Sequence, residues 1–424
     1  MKITGIIAEF NPFHNGHASI IDAVKKTAGA DYCVVVMSGD FVQRGEPAIC
    51  DKYLRTRMAL ASGADAVFEL PVIFSCASAE QFAFGAVSLL ASLGCIDDFC
   101  FGSESGDITL LMDMARILND EPEEYRDAIS EGVRSGFSFP TARQKALEAY
   151  LASCGNDTAS HRLYEAVKAG QMSSPNNILG IEYCKAYLKL TSQGITVPCP
   201  VTIKRTGSEY NSPAPGTDTQ ASAFSVREMI SKGNTDDIGA YVPPTVHSLL
   251  IENMNKTFPI YADDFDTVLY SKLLDLKTDI SSGKINGFPG IPSDMLGTIL
   301  KQADEPVSFF EVIERIKHKN YTYTSISRAL ISIILGIGEA SVSYRDNAAV
   351  SYARLLGIRK QSSGLINIIN KSASCEIINK LADAAATCVL LDCDIRAARL
   401  YNQTVYKKFG TRLADEYRKT IELY

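Results

Sequence analysis

Apolar residues follow two alternating rhythms along the first half of the chain. Near-continuous runs at residues 3–8, 31–37 and 66–70, and a shorter one at 98–101, read as strands buried on both faces. Between them, apolar residues recur at helical spacing. From Ala18 the residues Ile20, Ile21, Val24 and Ala28 share one face, with Asp22 early and Lys25 and Lys26 late, as the helix dipole favours. A second segment presents Lys52, Arg55 and Arg57 ahead of Met58 and Leu60, and residues 77–93 form a third, rich in small residues. This alternation predicts a Rossmann-like, doubly wound α/β domain, whose ligand crevice lies at the carboxyl ends of its strands.

Residues 110–150 are helical and partly acidic, with Pro140 expected to open the helix carrying Arg143 and Lys145. Ser173, Ser174 and Pro175 start a capped helix, and residues 197–207 read as a strand ending in Lys204, Arg205 and Gly207. A loop rich in Pro, Gly and Ser then precedes a helix at 221–231. Beyond it the pattern turns helical, at 265–279, 292–302, 309–318, 328–337, 349–356 and 374–385. We therefore expect a first domain at 1–235 and a mostly α-helical one at 236–424. The stretch 315–360 gathers Lys317, Lys319, Arg328, Arg345, Arg354, Arg359 and Lys360 among Tyr321, Tyr323, Tyr344 and Tyr352. Such a mixture suits RNA, where cations meet phosphates and aromatics stack on bases.

Bulk properties narrow the class. The chain has 424 residues, 46% hydrophobic and 21% charged, a length that suggests two or three domains. No run reaches the roughly 18 apolar residues of a membrane span, and the N-terminal run is short and cut by Glu9, so a cytoplasmic protein without a membrane partner is expected. Its 11 cysteines include no CxxC pair and fall mostly within apolar runs (Cys33, Cys76, Cys95, Cys100, Cys388), which predicts reduced thiols and no zinc site. A formal charge of −7 argues against a generally sticky nucleic-acid binder but leaves room for a local basic surface.

The chemistry concentrates in the loop after the first strand, where His14, Asn15, Gly16 and His17 spell HNGH. Two of the chain's five histidines stand there, at the junction of a strand and a helix. Attack at the α-phosphorus of a nucleotide builds negative charge on the phosphoryl oxygens. Imidazoles beside a helix N-terminus can donate hydrogen bonds to that charge. Gly16 would let backbone and nucleotide approach closely.

HNGH resembles the HxGH signature of the nucleotidyltransferase superfamily. The longer strings AEFNPFHNGH, MSGDFVQRGEP, FGSESGD, SSPNNILGIEY and TIKRTG, in that order over most of the first 230 residues, resemble the tRNA(Met) cytidine acetate ligase family. The resemblance implies that ATP and free acetate give acetyl-adenylate and pyrophosphate. The acetyl group then passes to N4 of the wobble cytidine, position 34, of elongator tRNA(Met), without coenzyme A. It places catalysis on His14 and His17. The implied ATP contacts are Ile7, Ala8, Glu9, Phe10, Asn11, Pro12, Phe13, His14, Asn15, Gly16, His17, Ala18, Ser19 and Ile20, with Gly102, Asn177, Arg205 and Thr206.

Phosphate or substrate roles are carried more loosely by Gln43, Arg44, Lys52 and Lys204. The segment ASAFSVREMI is similar to a second superfamily signature, a Ser-rich helix start followed by Arg. Ala223 and Phe224 depart from it, leaving Ser222 and Arg227 as the residues to carry over. Mg²⁺ is expected with ATP, but no carboxylate cluster marks a metal site. The alternatives are a small-molecule adenylyltransferase of the same superfamily, which would not need the second domain, and a nucleotide-responsive RNA-binding protein without chemistry.

Overall fold

The apolar runs fold as strands. The computed structural model describes residues 1–26, 29–137, 139–154, 158–205, 221–318, 321–347, 349–385 and 389–424. In chain order its strands are β1 (Ile3–Ala8), β2 (Tyr32–Ser38), β3 (Phe41–Val42), β4 (Glu46–Pro47), β5 (Ala66–Leu70), β6 (Asp98–Ser103), β7 (Cys199–Lys204), β8 (Tyr352–Ile358), β9 (Glu376–Ile378) and β10 (Glu422–Leu423). The main sheet has the order β10-β8-β5-β2-β1-β6-β7, with β9 beside β8, while β3 and β4 form a separate ribbon.

Strands β5, β2, β1, β6 and β7 run parallel. From β1 the chain first builds outward through β2 and β5, then returns to the other side for β6 and β7. The order therefore reverses at β1, where a crevice opens at the strand ends. Both faces of this sheet are covered. On β2, Val34 and Val36 join one buried cluster while Cys33, Val35 and Met37 join another, which explains the uninterrupted apolar run.

Helix α1 (Asn15–Lys26) starts within HNGH, three residues before Ala18. Helix α2 (Lys52–Ala61) is capped by Asp51, whose carboxylate accepts from the N–H groups of Tyr53 and Leu54. Helices Ala79–Ser92 and Pro175–Ser192 lie where the sequence places them.

Two helical expectations are overturned. Residues 349–356 fall largely on β8, buried at every position and antiparallel to β5, with Glu69 opposite Arg354. Residues 374–385 contain β9 and a short 3₁₀ turn at Leu381–Asp383. A short apolar run has no period that separates strand from helix, and β5 offered an unpaired edge to complete. The sheet thus draws strands from both sides of position 235.

The seam between β5, β8 and α2 holds a buried ion cluster. Lys52 Nζ lies 2.8 Å from Glu69 Oε1 and 3.0 Å from Glu416 Oε2, and Arg354 pairs with both carboxylates. Burial would lower the Lys52 ammonium, yet Glu416 and Glu69 hold it above its usual range. Burial also pushes the neighbouring Asp40 carboxyl up to about 7.

The C-terminal half also braces the loop after β2. Gly45 has φ +80°, and a Cβ there would sit 2.3 Å from the backbone nitrogen of Arg328 in helix Tyr323–Leu335. Ser327 Oγ donates to the Gly45 carbonyl at 2.7 Å.

Candidate functional site

The loop between β1 and α1 is over-determined by its neighbours. Arg55, fully buried on α2, donates to the carbonyls of Glu9 at 2.7 Å, Ser38 at 3.0 Å and Cys50 at 2.9 Å, and also to that of Gly39. One guanidinium thereby ties the ends of β1 and β2 together. Asn11 Oδ1 accepts from Ile49 N–H at 2.8 Å, and Arg227 donates to the Asn11 carbonyl at 2.6 Å. Between these ties Phe10 adopts φ +50°, a left-handed backbone that an aromatic residue takes only when its surroundings enforce it.

His14 and His17 stack with ring centroids 3.7 Å apart. Gly16 N–H donates to His14 Nδ1 at 3.0 Å, and His14 N–H donates to His17 Nδ1 at 3.2 Å. Both Nδ1 atoms are acceptors, so each neutral ring carries its proton on Nε2. Burial first, then Arg205 and Arg227, lowers His14 to about 3; burial, His14 and Arg205 hold His17 well below its usual value. At neutral pH the pair is therefore two neutral Nε2–H donors.

The first turn of α1 does not supply the anion donors expected of it. Asn15 N–H goes to the Tyr241 carbonyl, Gly16 N–H to His14, and the N–H groups of His17 and Ala18 to the His14 carbonyl. A Cβ on Gly16 would lie 2.8 Å from the His14 ring, so this glycine makes room for the imidazole rather than for a nucleotide.

The rings open onto a cleft of about 1140 Å³, mouth included, at the carboxyl ends of β1 and β6. Of the expected ATP contacts, Ile7, Ala8, Glu9, Phe10, Asn11, His14, His17, Ile20, Gly102 and Arg205 line it. Gln43, Arg44, Ser222 and Arg227 do too. Ser222 caps helix Ala223–Ser231, accepting from Ser225 N–H at 3.1 Å.

Other expected contacts lie behind the wall. Pro12 and Phe13 are buried, and Phe13 packs on Phe10 with centroids 4.7 Å apart. Asn15 is tied to the Ala240 carbonyl at 3.1 Å, and Gly16, Ala18 and Ser19 do not reach the cleft. Asn177 is fully buried, its amide accepting from Ser105 N–H at 3.1 Å and donating to the Gln171 carbonyl at 2.7 Å. Its neighbour Asn176 faces the cleft instead. Lys52 is withdrawn into the ion cluster and Lys204 is exposed at the end of β7. Thr206 lies outside the described residues.

Phe82, Phe101, Leu179, Tyr183, Ala223 and Phe224 complete an apolar wall that sequence reading missed, because nothing in a core-like aromatic announces an open face. The basic, tyrosine-bearing stretch at 315–360 is not one surface. Tyr352 is buried and bonded to Asp394, and Arg354 belongs to the ion cluster, while Lys319 lies outside the described residues.

Among the described residues no group of three His, Cys, Asp or Glu could hold a metal, and Glu9 is the single carboxylate of the cleft wall. The described side chains thus do not form a Mg²⁺ cage.

The model of the HIGH Nucleotidyl Transferase family matches residues 1–416. Proteins named tRNA(Met) cytidine acetate ligase match nearly the whole length. That of Acetivibrio thermocellus is 38% identical over 99% of both chains, and that of Clostridium acetobutylicum 38% identical over 99% of this chain and 100% of its own. The chain belongs to the tRNA(Met) cytidine acetate ligase family, within the HIGH nucleotidyltransferases. The crystal structure of apo Thermotoga maritima TmcAL superposes with a TM-score of 0.88 at 28% identity, covering 100% of this chain and 99% of that one. Thermotoga maritima TmcAL bound with alpha-thio ATP gives 0.86 at 27%, with the same coverage. In this chain Arg55 and Arg227 hold the HNGH loop, through the carbonyls of Glu9 and Asn11, beneath its stacked rings.

Proposed function

We propose that this chain is an ATP-dependent ligase that activates acetate as acetyl-adenylate and transfers the acetyl group to N4 of the wobble cytidine of elongator tRNA(Met). One observation carries the reading. In a chain that aligns end to end with relatives named for that reaction, the HNGH imidazoles present two neutral Nε2–H donors to a cleft that also receives Arg205 and Arg227. In the first half-reaction the acetate carboxylate attacks the α-phosphorus and pyrophosphate leaves. Pre-oriented donors of fixed tautomer stabilise the charge that develops there without having to reorganise. Arg205 and Arg227 neutralise the phosphates, and the Ser222 cap stands beside them.

The wall of Phe101, Leu179 and Tyr183 offers a dry face for the adenine and limits water that would hydrolyse the adenylate. Mg²⁺ would arrive on the phosphates of ATP, since the described residues provide no cage for it. Residues 236–424 would carry most of the tRNA contact, and the reaction would take place in the cytoplasm. Among the described residues no helix is long and apolar enough to cross a membrane.

The test is mass spectrometry of tRNA nucleosides after incubation with ATP and isotopically labelled acetate. Labelled N4-acetylcytidine at position 34, dependent on both and made without coenzyme A, is the expected product. Acetylation that proceeds only with acetyl-coenzyme A would refute the acetate assignment. A stable adenylylated metabolite, formed with no tRNA present, would point to the small-molecule adenylyltransferase instead.

A further inference from the structure

The second half-reaction needs a proton acceptor. The exocyclic amine of cytidine is a weak nucleophile, and it must shed a proton as it forms an amide. Few groups on the cleft wall can take it. The imidazoles of His14 and His17 already carry a proton on Nε2, and each Nδ1 is occupied by a backbone N–H. Arg44, Arg205 and Arg227 bear guanidinium groups, which donate hydrogen bonds and offer no acceptor. The remaining group is Glu9, the one carboxylate of that wall among the described residues.

Glu9 is built to hold still. Its main-chain carbonyl is gripped by Arg55 at 2.7 Å, and its Oε1 accepts from Gln43 N–H at 2.7 Å. Phe10, next in the chain, is fixed in its left-handed backbone. Among the described residues Oε2 accepts no hydrogen bond, and Glu9 lines the same cleft that holds both imidazoles.

Resting on the ligase reading above, we propose that Glu9 is a catalytic residue of acetyl transfer, its Oε2 taking the proton that cytidine N4 sheds as it attacks the acetyl carbon. The N4–carbon bond forms and the carbon–oxygen bond to the adenylate phosphate breaks. The electron pair of the broken bond leaves on AMP, and the proton passes from N4 to Glu9 and later to water. Burial raises the Glu9 carboxyl above the ordinary carboxylate range, while Gln43 N–H, Arg44, Arg227 and Arg55 oppose that rise; the Cys76 thiol is a further titratable neighbour. The outcome is a base better matched to neutral pH than a free carboxylate.

The experiment uses the full chain and transcribed tRNA(Met). Acetyl transfer is followed in single turnover from preformed acetyl-adenylate, and acetate-dependent ATP–pyrophosphate exchange is measured in parallel. In Glu9→Gln the ratio of transfer rate to exchange rate falls by about 100-fold or more, and the limb of the transfer–pH profile that rises with pH disappears. Equal loss in both reactions would overturn the proposal, placing Glu9 in nucleotide geometry. Undiminished transfer would also overturn it, leaving the AMP phosphate as the acceptor. Glu9→Asp keeps a base on a shorter arm, so the rising limb persists at a lower plateau; a flat profile there refutes the assignment even if the Gln variant folds poorly. Absence of acetate-dependent exchange in the wild type would instead sink the ligase reading itself.

Discussion

The His14 imidazole offers a test of the site's electrostatics that needs no substrate. It is 2% exposed, and burial with Arg205 and Arg227 brings it from about 6.5 in the unfolded chain to about 3. Between those values the unfolded chain binds the proton and the folded chain does not. Folding stability is therefore unaffected by this group above pH 6.5 and declines as the pH falls below it. The decline amounts to about 1 kcal/mol at pH 5.5 and about 3 kcal/mol at pH 4.5. Other buried groups act in the opposite sense, since Asp40 and Asp394, both pushed up to about 7, take up protons in the folded state. A difference measurement removes them. Urea unfolding of the wild type and of His14→Asn, each at pH 7.5, 5.5 and 4.5, gives two stability curves whose gap reports the His14 imidazole together with its coupling to the stacked His17. The wild type should lose ground to the variant by those amounts on acidification. Parallel curves would mean that His14 takes up its proton as readily in the folded chain as in the unfolded one, and would refute the picture of an imidazole held neutral by burial and the two arginines.

Three further outcomes follow from the geometry. Lys52→Met removes the cation between Glu69 and Glu416, which are almost fully buried, and should cost about 3–5 kcal/mol in urea unfolding; a change below 1 kcal/mol would show the cluster to be hydrated. Arg55→Lys cannot reproduce a fork that reaches four carbonyls, so a loss of about 3 kcal/mol is expected, together with a higher KM for ATP because the end of β1 is released. Gly16→Ala would press a methyl group against the His14 ring and displace its Nε2–H; pyrophosphate exchange should fall at least tenfold while stability changes by only about 1 kcal/mol. Wild-type exchange in that variant would indicate that the ring tolerates movement.

The HNGH side of the cleft was legible because its information is local. HNGH, the strand before it and the helix after it are contiguous, while Gly102, Arg205, Ser222 and Arg227 came from the family resemblance and line the same cleft. Asn177 and Lys52 were misplaced for the opposite reason. Whether a polar side chain faces a cleft or a buried partner depends on residues far away in the chain: Ser105 and Gln171 for the amide, Glu69 and Glu416 for the ammonium.

By itself the amino-acid sequence determined the parallel sheet, its covering helices and the loop that carries two histidines, because each follows from a period or a turn within some twenty residues. Only the tertiary structure decided that β8 joins the sheet as a strand, since an apolar run takes its conformation from the edge it pairs with. It also decided what the histidines are. Their tautomers come from the N–H groups of Gly16 and His14 in the loop itself, but their neutrality comes from exclusion from water and from Arg205 and Arg227, which reach the rings only when β7 and helix Ala223–Ser231 pack beside β1.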